Sequence, residues 1–88
     1  MAADWDDVRQ RLLDRVFYSF DERDVEASQD LHADGYLDSL AVLVTLGVLE
    51  EEVGEGVAVE EAKVSDTASM AALKNLYLRL CDRVTSAE

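Results

Sequence analysis

The run Leu40-Ala41-Val42-Leu43-Val44-Thr45-Leu46-Gly47-Val48-Leu49, followed by Glu50-Glu51-Glu52-Val53 and Gly54, constrains this chain more than any other stretch. It is too short to cross a bilayer, which takes about 20 apolar residues in a helix. Asp38-Ser39 stands in front of it. A serine at an N-cap accepts a bond from a free backbone N–H, and an aspartate there suits the positive end of the helix dipole. Gly54 stops the run, as a residue free to take the left-handed cap conformation does. The pattern predicts a helix over 40–53 with Ser39 at its N-cap. Spacing puts Leu43, Leu46, Leu49 and Val53 in the core. The other face, Leu40, Val44, Gly47, Val48 and Glu51, is unusually apolar for water. Exposed, it is a partner surface; buried, it makes this a helix covered on most sides. The pattern alone leaves both open.

Two further stripes flank this segment. Trp5, Val8, Leu12, Val16 and Phe20 recur every three or four residues, widened by Leu13 and Phe17, and predict a helix over 4–20. Asp4 is its candidate N-cap, and Asp6 and Asp7 suit its first turn. Arg9, Arg11, Asp14 and Arg15 lie off the stripe and are expected to face water. Met70, Leu73, Tyr77 and Leu80, with Leu76 beside them, predict a last helix over 67–83, followed by a frayed tail at 85–88. A short helical turn is expected over 60–64, and Val57 and Val59 as local core plugs. Residues 21–38 form a long polar connection anchored by Val25, Leu31, Tyr36 and Leu37, with Gly35 at a tight turn. The chain is therefore expected to be a single all-α domain.

Its 88 residues carry 20 acidic and 8 basic side chains, a net charge of -12. That balance argues against nucleic acid or an anionic membrane as partner, since phosphate contacts need clustered Lys and Arg. It suits attraction to basic surfaces on other proteins, or solubility alone. Cys81 is the single cysteine, so neither an internal disulfide nor a cysteine-based zinc cluster is available. The acidic start Met-Ala-Ala-Asp-Trp-Asp-Asp shows no signal or transit peptide, and a cytoplasmic location is expected.

With these residues in view, the chain resembles the acyl and peptidyl carrier protein family. The resemblance rests on Leu31, Gly35, Leu37, Asp38, Ser39 and Leu40, on Leu43, Leu46, Leu49, Glu50, Glu51 and Val53, on Val57, and on Met70 with Leu73. It covers almost the whole chain. The family fold is a four-helix bundle with a long first loop and a short third helix. In that family the serine carries phosphopantetheine, transferred from coenzyme A by a phosphopantetheinyl transferase. The resemblance thus implies that Ser39 is the attachment site and that Asp38 helps to position it. It implies docking of partners on Leu40, Val44, Gly47 and Val48. The arm's thiol would hold an aminoacyl or acyl group as a thioester, and the protein itself would catalyse nothing.

The implied partners are the transferase, an adenylating ligase or acyltransferase that loads the arm, and a downstream synthase or tailoring enzyme. The implied state is a monomer that neither inserts into membranes nor binds nucleic acid. The implied setting is polyketide or nonribosomal peptide metabolism. Many fatty-acid carriers have an acidic residue where this chain has Val44, and the docking position after it is Gly47, so the face is less charged, as in many peptidyl carriers. The run Leu31-His32-Ala33-Asp34-Gly35-Tyr36-Leu37-Asp38-Ser39 resembles that of D-alanyl and other free-standing aminoacyl carriers, with His32 at the usual Phe. A D-alanyl-type carrier for cell-envelope modification is therefore the alternative within the class. A non-covalent acidic interaction module without an arm is the alternative outside it.

Other chemistries are less well supported. A Ser-His-Asp triad would need His32, the single histidine, with Ser39 as nucleophile, and no oxyanion-hole glycine motif follows. Glu50-Glu51-Glu52 lacks an EF-hand pattern and reads as a solvated helix end. Cys81 reads as a half-buried helix residue, since no second cysteine or activating histidine is near it in sequence. Trp5 is most simply a core anchor.

Overall fold

A computed structural model describes residues 3–86. Among them are five α-helices and one 3-10 turn, and no strand: α1 Trp5–Arg15, α2 Glu22–Ala27, α3 Ser39–Val53, α4 Val57–Glu61, the 3-10 turn Val64–Thr67, and α5 Met70–Ser86. The three longest helices pack on one another, and α4 lies against α3 and α5. Leu12, Leu31, Leu49, Leu73, Leu76, Tyr77 and Leu80 are fully buried between them. Trp5 rests on Tyr77 at a ring separation of 6.1 Å, at the edge of this core.

α1 ends earlier than its apolar stripe predicts. Asp4 caps it through the backbone, its carbonyl accepting the N–H groups of Asp7 and Val8, while its side chain makes no cap bond. After Arg15 the run Val16-Phe17-Tyr18-Ser19-Phe20 is β-branched and aromatic, a weak helix-forming stretch. The N–H groups of Val16 and Phe17 both reach the Leu12 carbonyl, which closes the helix. Phe17 stays buried. Phe20, expected on the stripe, swings out and packs edge-on against Tyr36, 5.0 Å between ring centres.

The connection 21–38 is not structureless. Asp21 accepts the Arg23 N–H and starts α2, whose single buried side chain is Val25. Arg9 clamps α2 from α1 through Glu22 and Glu26. Beyond α2 the chain folds around buried Leu31, whose carbonyl accepts the N–H groups of Tyr36 and Leu37 and whose N–H reaches the Ala68 carbonyl. Asp30 accepts the amides of His32 and Ala33. Gly35 makes the tight turn at φ 85°, where a side chain would be strained.

Several expectations change in α3. The N-cap is Asp38, not Ser39: the Asp38 carboxylate accepts the Ala41 N–H at 2.8 Å, and Ser39 is the first helical residue. A carboxylate is as good a cap as a hydroxyl and is also favoured by the dipole. Leu46, Leu49 and Val53 are buried as expected, but Leu43 is 62% exposed and Val48 only 3%. The buried face is centred on Thr45 and Leu49, because the Thr45 hydroxyl satisfies itself on the Ala41 carbonyl at 2.8 Å and can go inside. At Gly54, φ 110° and ψ 151° replace the expected left-handed cap, in a region open essentially to glycine alone.

The three glutamates that end α3 are structural. Glu50 reaches forward to accept the N–H groups of Ala58 and Val59, at 3.0 and 3.2 Å. It thereby caps α4, whose own N-cap, Gly56, has no side chain to offer. The short helix consequently forms at Val57–Glu61 and not over 60–64. Its plug is Ala58, with Val57 partly covered and Val59 exposed. Glu51 takes Arg11 and Arg15, and Glu52 takes Arg11 and the Ala3 N–H. The Arg15 bond, aided by Arg11, holds the Glu51 carboxyl below the usual range. The arginines expected to face water therefore tie α1 to its neighbours.

In α5 the stripe Met70, Leu73, Leu76, Tyr77 and Leu80 is buried as predicted. The helix starts at Met70, with the Ser69 hydroxyl accepting the Ala72 N–H, and it continues through Thr85 and Ser86. Of the expected frayed tail, Ala87 and Glu88 lie outside the described residues. Tyr77 donates to the Ala3 carbonyl at 2.5 Å, and burial pushes its phenol up.

Candidate functional site

The start of α3 projects into solvent, and its first residues are exposed for a specific reason. Asp38 spends its carboxylate on the Ala41 N–H, so the cap is complete without Ser39. The Ser39 hydroxyl makes no hydrogen bond among the described residues, and the residue is exposed. A serine that neither caps nor packs is open to covalent modification at Oγ.

One stripe of α3 runs away from this serine. Leu40 is 71% exposed and Val44 43%, and Leu43 and Gly47 lie open beside them. The stripe stops at Glu51, which is held by Arg11 and Arg15. Of the predicted docking residues, Leu40, Val44 and Gly47 share this face with Ser39. Val48 does not: it points into the core, and Leu43 takes its place. The stripe was hard to read because this helix is apolar on every side, so spacing alone could not choose between Leu43 and Val48.

Gly47 has no packing reason within the chain. A Cβ built there meets nothing within 4 Å, and its backbone is ordinary helix. Glycine inside a helix is destabilising by roughly 0.5–1 kcal/mol relative to alanine. Gly47→Ala is accordingly expected to stabilise the domain by about that amount in chemical denaturation. If the bare backbone serves a close-approaching partner, the same variant weakens docking.

Two grooves flank the start of α3. One, of about 220 Å³, runs between the end of α1 and α3 past Arg15, Val16, Asp38, Leu40, Ala41 and Val44. The other, of about 420 Å³, opens beside Ser39 and is lined by Val42, Leu46, Ala62, Val64, His32, Lys63 and Thr67. His32 is a polar brace in this lining, its Nε2 lying 2.8 Å from Thr67 Oγ1. The Thr67 hydroxyl donates its single proton to the Val64 carbonyl, so the ring nitrogen must carry a hydrogen and donate to Thr67. That bond pins the long first connection to the 3-10 turn. It also occupies the imidazole nitrogen: His32 and Ser39 line one groove, but no hydrogen bond joins them among the described residues.

The described residues hold no cluster of three or more His, Cys, Asp or Glu side chains arranged to bind a metal. None of their helices is long and apolar enough to cross a membrane. Cys81 is partly buried on α5, away from α3 in sequence. Lys63 had no signal in the sequence, since nothing in a lone lysine 24 positions after Ser39 points back to it. Comparison of the chain with protein-family models, with curated proteins and with solved structures finds no match.

Proposed function

We propose that this chain is a carrier protein that holds an aminoacyl or acyl group on a phosphopantetheine arm at Ser39. One observation carries the reading: the cap of α3 is supplied by Asp38, which leaves the neighbouring serine exposed, without a hydrogen-bonding partner among the described residues, and at the head of an exposed apolar stripe. The four helices of the carrier family would correspond to α1, α3, α4 and α5, with α2 a short addition inside the long first loop. When bound, the arm supplies a thiol for thioester chemistry. On attachment, Ser39 Oγ loses its proton and forms an O–P bond. The pyrophosphate linkage of coenzyme A breaks, and the adenosine bisphosphate half leaves.

Everything else asked of the chain is presentation. Asp38 fixes the first turn and hence the position of Oγ. Leu40, Leu43 and Val44 offer apolar contact to the transferase, to the loading ligase or acyltransferase, and to the downstream synthase or tailoring enzyme. No catalytic step falls to the chain itself. Incubation with coenzyme A and a promiscuous phosphopantetheinyl transferase tests the reading by intact mass. Gain of one arm is expected. A folded sample that gains none would turn the assignment to an acidic interaction module. A D-alanyl-type carrier would gain the arm too, and separates from the other carriers by which ligase loads it.

Recognition should be driven in two stages. With a net charge of -12, encounter with a basic partner surface is electrostatically steered, and the apolar stripe sets the residence time. Raising salt is expected to slow association with the transferase while changing dissociation much less. Val44 replaces a charge with a methyl-bearing contact, so the salt effect should be weaker than for a carrier with an acid at that place. Stopped-flow rates over a salt series check this; an association rate flat with salt leaves the acidity as a solubility feature.

A further inference from the structure

We propose that Lys63 draws the phosphodiester of an arm on Ser39 into the groove between α3 and the 3-10 turn, so that the arm leaves the domain along that groove. The inference rests on the reading of Ser39 as the attachment site. The two grooves beside α3 differ in charge. The smaller carries the Asp38 carboxylate, and its cation, Arg15, is already bound to Glu51. The larger is lined by no carboxylate at all, although the chain has 20. Its one charged residue is Lys63.

Lys63 has no ion-pair partner in contact among the described residues, although its charge is felt at Asp66. All six arginines form ion pairs, on α1 with Glu22, Glu26, Glu51 and Glu52, and elsewhere with Asp21, Asp66, Glu60 and Glu61. Lys63 forms none among the described residues. Glu61, the acid nearest to it in the chain, pairs with Arg83 at 3.1 Å, and the Asp66 carboxylate pairs with Arg79 at 3.0 Å while accepting the Lys63 backbone N–H at 2.9 Å. Burial pushes Asp66 up, but the Lys63 backbone bond and the Arg79 bond, with the charges of Arg79 and Lys63, outweigh it and hold the carboxyl below its usual range. Lys63 is itself exposed and lines a groove floored by Val42, Leu46, Ala62 and Val64.

A phosphodiester carries one full negative charge and would be bonded directly to Ser39 Oγ, so it cannot lie far from the mouth of this groove. Asp38 repels it from one side and Lys63 attracts it to the other. Lysine serves phosphate as a compact point charge, without the geometric demands of a guanidinium. Apolar walls reduce screening and strengthen the attraction. The ligand class is a dialkyl phosphate monoanion, and Lys63 acts as a positioning residue for it.

The test compares backbone amide resonances and the phosphorus resonance of the unmodified and arm-bearing protein, in the native chain and in Lys63→Met and Lys63→Arg. In the native chain, attachment is expected to shift the amides of residues 62–67 as well as those of 38–41, and the shifts at 62–67 should fade as salt rises. Lys63→Met should lose the shifts at 62–67 and keep those at 38–41, and Lys63→Arg should retain both. Lys63 is exposed, so the variants keep the core, and the salt series on the native chain stands even if one of them does not fold. Shifts at 62–67 that persist unchanged in Lys63→Met would overturn the proposal. So would shifts at 62–67 that appear only when the arm carries a succinyl group, because Lys63 would then serve a cargo carboxylate. An arm that fails to attach at all overturns the carrier reading instead.

Discussion

Val48→Glu is expected to melt the domain, whereas Val44→Glu and Leu43→Glu leave it folded and lose productive loading. Val48 is 3% exposed in the apolar core that α1, α3 and α5 share. A buried unpaired charge costs several kcal/mol, against a total stability of about 5–15 kcal/mol for a domain. Val44 is 43% exposed and Leu43 62%. A glutamate at either place stays in water, and at position 44 it relieves a β-branched residue of its helix penalty, worth a few tenths of a kcal/mol. Loading should suffer because apolar contact is lost and a charge enters the docking stripe, and central interface residues commonly cost more than about 1 kcal/mol when changed. Circular dichroism with a loading assay separates the outcomes. A melted Val44→Glu protein would mean that this stripe is core.

The second large effect is expected at the serine itself. Ser39→Ala should abolish arm attachment completely while changing stability by less than about 0.5 kcal/mol, because the hydroxyl caps nothing. Asp38→Ala should show the reverse weighting. It removes the bond to the Ala41 N–H and costs about 0.5–2 kcal/mol of stability. It should slow attachment, by loosening the first turn, without preventing it. Urea denaturation of both variants beside a transferase assay gives the four values. A Ser39→Ala protein as destabilised as Asp38→Ala would return the cap to Ser39 and remove the reason for its exposure.

How much of this could be read beforehand differs from element to element. The stripe of α5 was legible because its apolar residues repeat on one face of a helix whose other faces are polar. The end of α3 was legible from Gly54, although its backbone conformation was not. α2 was invisible to periodicity, since a helix with one buried residue, Val25, has nothing to repeat. Its signals were local ones, Asp21 as a cap and the two glutamates that Arg9 collects, and the second is a tertiary fact. Within α3, Leu43 and Val48 traded places because Thr45 reads as polar while its hydroxyl bonds within its own helix and lets it go inside. The place of α4 depends on Glu50, eight residues ahead of the amide it caps. At the candidate site, Ser39, Asp38, Leu40, Val44 and Gly47 were all named from the sequence. Leu43 and Lys63 required knowing which way α3 turns and where the chain returns after α4.

The most direct measurement is site-resolved mass spectrometry on the protein after reaction with coenzyme A and the transferase. The account predicts a single modified peptide, the one spanning residue 39, with fragment ions that place the phosphopantetheine on Ser39 and leave every other serine and threonine unmodified. An arm found on another residue, or an unmodified peptide from a folded and fully reacted sample, would contradict it.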